Sequence, residues 1–387
     1  MTHEGLWVRF FKKSDWQLFS ALPVFSCFRV TIWSLDMTFV AIISSRLKQD
    51  RLREPLLSFG KRDAFMNPGK DLLTVSGHKI LFNVQASGSK VSDWALENRQ
   101  ELGDILLEKG CVLIRGLKIL SSKQFGMVLQ ALFDDELIDY TYRSTPRTEL
   151  RGKVYTATEY PAAETIPQHN ENSYSNSWPL RIGFLCMQPS VTGGETPLAD
   201  SRLVYQRIEK DVRERFERKG VMYVRNYSDL DLPWSEVFQT EDKDEVAAFC
   251  EKNGLEYHWG KGNHLRTCQV NPATASHPIT GEKVWFNQAH LFHVSSLNPD
   301  VRNALLEIGG EENLPRNTYF SDGSEIPAED LDHIREVYEA LKFQFTWQRY
   351  DLLLVDNMLC SHGRNPFEGE RKILVGMTTP QFKSSTP

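Results

Sequence analysis

Paired cysteines are missing from this sequence, although it contains six cysteines. They stand far apart, and no two of them form a Cys-x-x-Cys pair: Cys27, Cys111, Cys186, Cys250, Cys268 and Cys360. This spacing argues against a zinc ribbon and against a disulfide framework, and it favours a reducing compartment. We therefore expect a cytoplasmic protein, with targeting to an organelle by the first 65 residues as the open alternative.

The sequence also has little that would place it in a membrane or on nucleic acid. Its apolar-rich stretch at residues 18–45 is interrupted by Pro23, Arg29 and Asp36. A membrane-spanning helix needs about 20 largely apolar residues, and a charged side chain at its centre costs roughly 2.5–3.5 kcal/mol. The net charge of −6 offers no overall attraction to nucleic acid. We therefore predict neither a membrane span nor a nucleic-acid partner.

Residues 1–65 differ in charge from the remainder of the chain. Residues 1–62 carry 10 Lys and Arg against 5 Asp and Glu, whereas the whole chain carries 45 against 51. The segment lacks the early apolar core and the small-residue cleavage site of a secretory signal. Three interpretations stay open, namely a docked extension, an organelle transit peptide, and upstream sequence ahead of a translation start at Met66. We predict an N-terminal extension over 1–65 and one folded domain over 66–387.

Helices and strands alternate in the first part of the predicted domain. Gly110 is a natural residue to end a helix, because glycine readily adopts the left-handed conformation. Ser121 followed by Gln124 fits a capping box at a helix start. The predicted elements here are strands at 72–75, 80–84 and 111–116 and helices at 94–109 and 121–137.

From Val154 onward, short strand-like segments dominate the sequence. Strands are predicted at 180–187, 221–225, 283–287, 343–347, 350–355 and 372–377, and helices at 201–219 and 328–342. Many short strands, with the candidate metal ligands far apart in sequence, suit a jelly-roll barrel. The predicted fold class is therefore α+β, mainly β, with a double-stranded β-helix (jelly-roll) core and flanking helices.

His169, Glu171 and His362 are the candidate metal ligands. In an extended segment side chains alternate, so His169 and Glu171 would lie on the same face. Two histidines and one carboxylate on one face of an iron ion leave the opposite face open, as in non-haem Fe(II) oxygenases. Taken alone, the His-x-Glu tripeptide also fits an Asn-rich surface turn, and a single histidine also fits a core residue with its hydrogen bonds made.

Two further motifs strengthen the metal-site hypothesis. Residues 193–197, Gly-Gly-Glu-Thr-Pro, permit a tight turn or a close backbone approach, and the hydroxyl of Thr196 can bond a carboxylate. Arg371 follows His362 by nine residues and opens the predicted strand at 372–377. An arginine at the mouth of a barrel can donate two parallel hydrogen bonds to a carboxylate.

As an ordered set, these motifs resemble the TauD/TfdA superfamily of Fe(II)/2-oxoglutarate-dependent dioxygenases. Within it, the clavaminate synthase-like and SyrP-like branch is the most similar, and it shares glutamate in place of the more common aspartate. The resemblance covers about residues 70–380. Its pieces are residues 169–174, 193–197 and 285–292, Asn357, residues 362–367 and Arg371.

The resemblance implies a role for each matched residue. His169, Glu171 and His362 would be the catalytic metal ligands of Fe(II), and Thr196 and Arg371 would bind the co-substrate 2-oxoglutarate. O2 would be the second co-substrate. Where the taurine enzyme has a second arginine this chain has Val375, so that contact is absent or supplied elsewhere.

The implied reaction is hydroxylation of an unactivated C–H bond, with decarboxylation of 2-oxoglutarate to succinate and CO2. The expected substrate is an amino acid or an amino-acid-derived compound of secondary metabolism, either free or tethered to a carrier protein. Residues 285–292 would form an extended strand with Phe286, Gln288, His290 and Phe292 on one face, where they border the substrate cavity or pack in the core. Arg364 would bind substrate or anchor a loop.

Two other classes of function remain as alternatives. A zinc-dependent hydrolase could use the same His169, Glu171 and His362 site, although zinc sites usually offer a second general base and no buried arginine for a keto acid. A non-catalytic jelly-roll binding protein could retain the scaffold without a metal. The complete set of ligands, together with Thr196 and Arg371, favours the oxygenase.

Overall fold

This computed structural model describes residues 71–75, 78–83 and 90–383, except for 141, 143, 146 and 229. The predicted extension over 1–65 and its boundary with the domain at 66–387 lie outside the described residues. Within the described ranges, no helix is both long enough and apolar enough to cross a membrane. The five cysteines of these ranges are free thiols, while Cys27 lies outside them.

Strands in the described residues are labelled in chain order. They are β1 Asp71–Val75, β2 His78–Asn83, β3 Cys111–Arg115, β4 Tyr155–Thr156, β5 Ile166–His169, β6 Ser177–Gln188, β7 Thr192–Gly193, β8 Leu198–Asp200, β9 Val221–Tyr227, β10 Glu256–Trp259, β11 Leu265–Asn271, β12 Thr274–Ser276, β13 Lys283–Trp285, β14 Arg316–Phe320, β15 Leu352–Asp356, β16 Cys360–Arg364, β17 Phe367–Glu368 and β18 Lys372–Phe382. Pairing among these strands is antiparallel except between β2 and β3. The predicted class, α+β with mostly β structure, is therefore confirmed at this level.

The α-helices of the same residues are labelled in the same way. They are α1 Val91–Lys109, α2 Ser122–Phe133, α3 Ser201–Arg207, α4 Lys210–Lys219, α5 Trp234–Phe238, α6 Lys243–Asn253, α7 Ala289–Phe292, α8 Pro299–Gly309 and α9 Ala328–Leu341. Short 3-10 turns lie at Lys261–Asn263, Val294–Ser296 and Glu311–Asn313. As predicted, α1 ends at Gly110, which has a φ of 77°, and the Ser121 side chain caps α2 by accepting from the Gln124 N–H.

A seven-stranded sheet in the order β1-β2-β3-β15-β6-β18-β4 forms the largest layer. Its strand β15 is buried at every position and pairs with both β3 and β6. Because strand side chains alternate, Leu352 and Leu354 face one core while Leu353 and Val355 face another. The first core lies under α1 and α2, and the second lies on the side of the sheet that carries the candidate site.

A smaller sheet in the order β5-β16-β8 carries two of the candidate ligands, His169 and His362. In it, His362 of β16 lies directly opposite His169 of β5. A separate four-stranded sheet, β10-β11-β9-β14, belongs to another core that also contains residues of α3, α4 and α9. The fold therefore brings the two histidines together, although 193 positions separate them in the sequence.

The structure corrects three of the predicted elements. Residues 343–347 do not form a strand, and only Phe343 makes a bridge, to Leu198. The helix predicted at 201–219 breaks at Ile208, whose ψ of 131° is extended, because the next N–H, of Glu209, donates to His333 Nε2 of α9. The helix predicted to run to Leu137 ends at Phe133, because Asp134 adopts a left-handed conformation with a φ of 54°.

Gly363 should be intolerant of a side chain. A Cβ at this position would lie 2.6 Å from the Ile166 carbonyl oxygen and 3.2 Å from the Gln168 nitrogen. Both atoms belong to the backbone of β5, which cannot move without displacing His169. We expect Gly363→Ala to lower the free energy of unfolding by about 1–3 kcal/mol, as overpacking does, measured by denaturant unfolding.

Gly103 offers a matched control for that substitution. It lies within α1, and a Cβ there would meet nothing within 4 Å. Gly103→Ala should raise the free energy of unfolding by about 0.5–1 kcal/mol, because alanine loses less backbone entropy than glycine in a helix. Equal stability of the Gly363→Ala variant and the parent would contradict the close approach of β16 to β5.

Candidate active site

Three candidate ligands converge at the facing ends of β5 and β16. The imidazole centroids of His169 and His362 are 4.7 Å apart, and His362 Nε2 lies 3.8 Å from Glu171 Oε2. One potential ligand atom from each of the three residues lies within 4.8 Å of the others. The structure therefore assembles one compact group of two imidazoles and one carboxylate.

Glu171 reaches this group by a different route from the one predicted. Strand β5 ends at His169, and Glu171 lies in the turn that follows, so the two residues do not share an extended segment. The side chain of Asn357 replaces a strand partner: its Oδ1 accepts from the Glu171 N–H at 2.6 Å and its Nδ2 donates to the Glu171 carbonyl at 2.9 Å. This double contact fixes the backbone of Glu171 relative to His362, five residues after Asn357.

Asn170 fixes the same turn from the opposite side. Its Nδ2 donates to Ser201 Oγ at 3.0 Å and to the Asn357 carbonyl at 2.7 Å. Its own carbonyl accepts from Gln288 Nε2 at 2.7 Å. The residue between the two candidate ligands is thus fully buried and structural, which explains why an asparagine-rich segment forms a site rather than a surface turn.

Hydrogen bonding and charge leave His169 and Glu171 in the states that a metal requires. His169 Nδ1 lies 2.8 Å from the Pro167 carbonyl, which can only accept, so Nε2 keeps its lone pair. Burial, with a contribution from His362, lowers the pKa of His169 to about 4, so its imidazole is neutral at pH 7. Burial alone would raise the pKa of Glu171, but Arg147 and the two histidines hold it well below its usual range.

This donor set fits Fe(II). Neutral imidazole nitrogens and an ionised carboxylate are the ligands of the two-histidine, one-carboxylate iron sites, and metals bind the deprotonated forms of such groups. The three ligands come from one side, and a pocket of about 460 Å³, including its open mouth, is lined by both histidines. The arrangement therefore leaves room for further ligands on the pocket side.

Thr196 and Arg371 line the same pocket. Thr196 is buried, and its oxygen accepts a hydrogen bond from Trp347 Nε1 at 3.1 Å. Its hydroxyl hydrogen is consequently left for another acceptor. In the sequence Trp347 lies in the predicted strand at 343–347, and no motif marks it as a site residue.

Arg371 is held by the glycine turn that precedes Thr196. Its Nε donates to the Gly194 carbonyl at 3.0 Å, and its guanidinium lies 5.6 Å from the centre of the Phe367 ring. Gly194 has a φ of 73°, and a Cβ there would lie 3.0 Å from Arg371 Nε. Burial and the nearby Arg364 lower the pKa of Arg371 to about 10, so it remains charged at pH 7.

Arg147 is a site residue that sequence reasoning missed. Its Nη2 donates to Glu171 Oε2 at 2.8 Å, and its guanidinium lies 4.3 Å from the centre of the Tyr140 ring. Burial by itself would lower the pKa of Arg147, but Glu171 and Tyr140 raise it above its usual range. Arg147 lies in an irregular segment between α2 and β4, where no sequence motif marks it.

The segment at residues 285–292 does not border the pocket as an extended strand. Strand β13 ends at Trp285, and Ala289–Phe292 forms the helix α7. His290 is buried, its Nε2 donates to the Gln168 carbonyl at 2.9 Å, and its ring lies 4.8 Å from the Tyr338 ring centre. The core interpretation is therefore the correct one, and the segment supports β5 from behind.

Arg364 anchors a loop. Its Nη atoms donate to the backbone carbonyls of Tyr160, Pro161 and Glu164 at 2.6–2.9 Å. The residue also lines the pocket. Of the two interpretations made from sequence, loop anchoring is the one that these contacts show.

Comparison with known proteins gives a consistent result. The model of the family described as "Taurine catabolism dioxygenase TauD, TfdA family" matches residues 75–378. The dapdiamide synthesis protein DdaC of Enterobacter agglomerans is 42% identical over 312 residues, which are 80% of this chain and 94% of DdaC. A clavaminate synthase-like protein of Arabidopsis thaliana is 31% identical over 288 residues, 71% of this chain and 83% of that protein.

Solved structures show the same fold at much lower identity. A structure of PvcB, described as an Fe, alpha-ketoglutarate dependent oxygenase from an isonitrile synthetic pathway, is 14% identical. Its TM-score is 0.50, and the match covers 84% of this chain and 98% of PvcB. At this identity the likeness is evidence for the fold alone.

The resemblance first seen in scattered motifs is confirmed, because the family match spans most of the chain. The protein is an enzyme, and its cofactor and co-substrates are Fe(II), 2-oxoglutarate and O2. A zinc hydrolase and a non-catalytic binding protein are thereby excluded as its class. The chain belongs to the TauD/TfdA family of Fe(II)- and 2-oxoglutarate-dependent dioxygenases.

Proposed function

We propose that this dioxygenase hydroxylates an unactivated C–H bond of an amino acid or an amino-acid-derived compound, with decarboxylation of 2-oxoglutarate to succinate and CO2. His169, Glu171 and His362 hold Fe(II) in this proposal, and Thr196 and Arg371 hold 2-oxoglutarate. The observation that carries it is the group of three ligand atoms within 4.8 Å of one another. That group opens onto a pocket lined by a threonine hydroxyl and a charged arginine.

Each proposed residue has a separate task. Bound Fe(II) supplies the activation of O2, which no protein side chain can perform. Arg371 and the free hydroxyl hydrogen of Thr196 provide charged and neutral donors for the distal carboxylate of the keto acid. The apolar side chains of Phe184, Ile373 and Val375 line the same pocket and keep water from the reacting groups.

The name of one relative supports a role in small-molecule biosynthesis. DdaC, at 42% identity, is a dapdiamide synthesis protein. An amino-acid-derived substrate of secondary metabolism is consistent with that name. The proposal covers a free substrate and one tethered to a carrier protein.

We also propose the finer description of the fold and of the domain. The pocket is lined by Phe184 and Val375 from the seven-stranded sheet and by His169 and His362 from the three-stranded sheet. Two sheets facing each other across a central site are the arrangement of a double-stranded β-helix. This jelly-roll domain would extend over residues 66–387, behind an N-terminal extension at 1–65.

Substitution of a metal ligand should abolish iron binding. We expect His169→Ala, Glu171→Ala and His362→Ala each to prevent the visible charge-transfer band that forms when Fe(II) and then 2-oxoglutarate are added without oxygen, because the remaining two ligands cannot hold the ion. The exposed His264 provides the control, and His264→Ala should give the parental band. A normal band and full turnover in any of the three variants would contradict its assignment as a ligand.

Arg371→Ala should weaken the binding of 2-oxoglutarate. Removing one partner of a buried charge pair costs about 2–5 kcal/mol, so the concentration of 2-oxoglutarate that half-develops the band should rise steeply while Fe(II) affinity is unchanged. Lys372→Ala is the matched control, since Lys372 is the next residue, carries the same charge and is exposed. An unchanged requirement for 2-oxoglutarate in Arg371→Ala would place the keto-acid anchor elsewhere.

Thr196→Val should also raise the concentration of 2-oxoglutarate that half-develops the band, but less than Arg371→Ala does. Valine keeps the shape of threonine but lacks the hydroxyl, and one neutral hydrogen bond contributes about 0.5–1.5 kcal/mol. Thr196→Ser keeps the hydroxyl and should bind 2-oxoglutarate nearly as the parent does. If valine and serine behave alike in an equilibrium titration of 2-oxoglutarate, Thr196 does not contact the co-substrate.

A further inference from the structure

Arg147 has more hydrogen-bond donors than the described protein uses. One guanidinium nitrogen, Nη2, donates to Glu171 at 2.8 Å and lies 3.4 Å from Thr158 Oγ1. Nε and Nη1 are buried and have no partner among the described residues. The side chain is more than nine-tenths buried, with 8% of the residue exposed, and it lines the active-site pocket.

Burying Nε and Nη1 of Arg147 without acceptors is energetically unfavourable unless a ligand accepts hydrogen bonds from them. A buried donor without an acceptor costs about 1–3 kcal/mol, and more when the group is charged. Arg147 is held in place by the Tyr140 ring on one face and by Glu171 at one nitrogen, so it cannot rotate out to solvent without breaking both contacts. The unused donors are therefore fixed beside the pocket, in position for a ligand to accept from them.

The charge of the pocket indicates the kind of ligand. Among its described lining residues are three arginines, Arg147, Arg364 and Arg371, and no aspartate or glutamate. A water-excluding cleft lined by one sign of charge attracts ligands of the opposite sign. A planar guanidinium donates in a geometry that matches a carboxylate.

The co-substrate does not account for Arg147. In the proposed function, the distal carboxylate of 2-oxoglutarate is taken by Arg371 and its other carboxylate by the metal. Arg364 donates through both Nη atoms to three backbone carbonyls, and only its Nε lacks a partner among the described residues, whereas Arg147 has two such nitrogens. The donors of Arg147 are left over after both carboxylates of the keto acid have been assigned.

We propose that Arg147 receives a carboxylate of the substrate, so that the compound hydroxylated by this enzyme is a carboxylic acid. The inference rests on the proposed function and narrows its substrate class. An amino acid tethered to a carrier through its α-carboxyl group has lost that charge. A tethered substrate of this enzyme would therefore carry a second carboxylate, whereas a free amino acid would offer its own.

Equilibrium binding to Arg147 variants tests the assignment without relying on turnover. The protein is loaded with Fe(II) and 2-oxoglutarate in the absence of oxygen, and the charge-transfer band is recorded. The probes are the proteinogenic L-amino acids and their N-acetyl derivatives, each as the free acid and as the matched carboxamide. The concentration that half-perturbs the band gives the affinity of each probe.

The variants separate a ligand contact from a structural role. Arg147→Lys keeps a positive charge that can pair with Glu171 but lacks the Nε and Nη1 donors, and Arg147→Met removes charge and donors together. Thermal unfolding of both variants reports whether the pocket still folds. If Arg147 only stabilises Glu171, the Arg147→Lys variant should bind each probe with the affinity of the parent.

We expect free acids to bind the parent and their carboxamides to bind much more weakly. Arg147→Lys should lose about 10- to 100-fold in affinity for the acids, the effect of a charge-assisted hydrogen bond, with carboxamide binding unchanged. The inference is overturned if no acid perturbs the parental band, if acids and carboxamides bind alike, or if lysine restores acid binding. It is also overturned if the variant only raises the requirement for 2-oxoglutarate, which would assign Arg147 to the co-substrate.

The same experiment also tests the proposed function separately. If the parent forms no band with Fe(II) and 2-oxoglutarate, the assigned metal and keto-acid site is wrong, and the inference falls with it. If the band forms and only the acid-binding results disagree, the proposed function stands and Arg147 has a structural role alone.

Discussion

The antiparallel pairing of β5 with β16 is the constraint on which the active site depends. It places His169 opposite His362, and the hydrogen bond from the Glu171 N–H to Asn357 Oδ1 then adds the carboxylate to the pair. Gly363 permits this pairing because a side chain would collide with the Ile166 carbonyl. A metal site built on hydrogen-bonded strands is more rigid than one built on loops, since the ladder fixes the spacing of the ligands.

The net charge of the pocket depends on which groups each arginine contacts. Arg147 has one carboxylate, Glu171, and keeps that ligand ionised despite its burial. Among the described residues, Arg371 donates one hydrogen bond, from Nε to the Gly194 carbonyl, and it pairs with no carboxylate, so its charge is available for a dicarboxylate co-substrate. The site thus combines one protein carboxylate with an excess of positive charge, which suits a metal complex that receives anionic ligands.

Three of the errors in the sequence predictions share one cause. The helix predicted at 201–219, the strand at 343–347 and the strand at 285–292 all have the expected local periodicity. Each is overridden by a contact with a distant part of the chain: Glu209 with His333, Thr196 with Trp347, and Gln288 with Asn170. Local patterns report the preference of a segment, and tertiary hydrogen bonds of comparable free energy can outweigh that preference.

The sequence by itself identified the family through the order of its motifs, and it singled out His169, Glu171 and His362 as the candidate metal ligands. It also determined most strands and helices, whose period and caps are local properties. Only the tertiary structure decided that Arg147 belongs to the site and that Asn357 holds Glu171. Both contacts join segments that are remote in sequence, and in neither case does a nearby residue mark the partner, so no local pattern could reveal them.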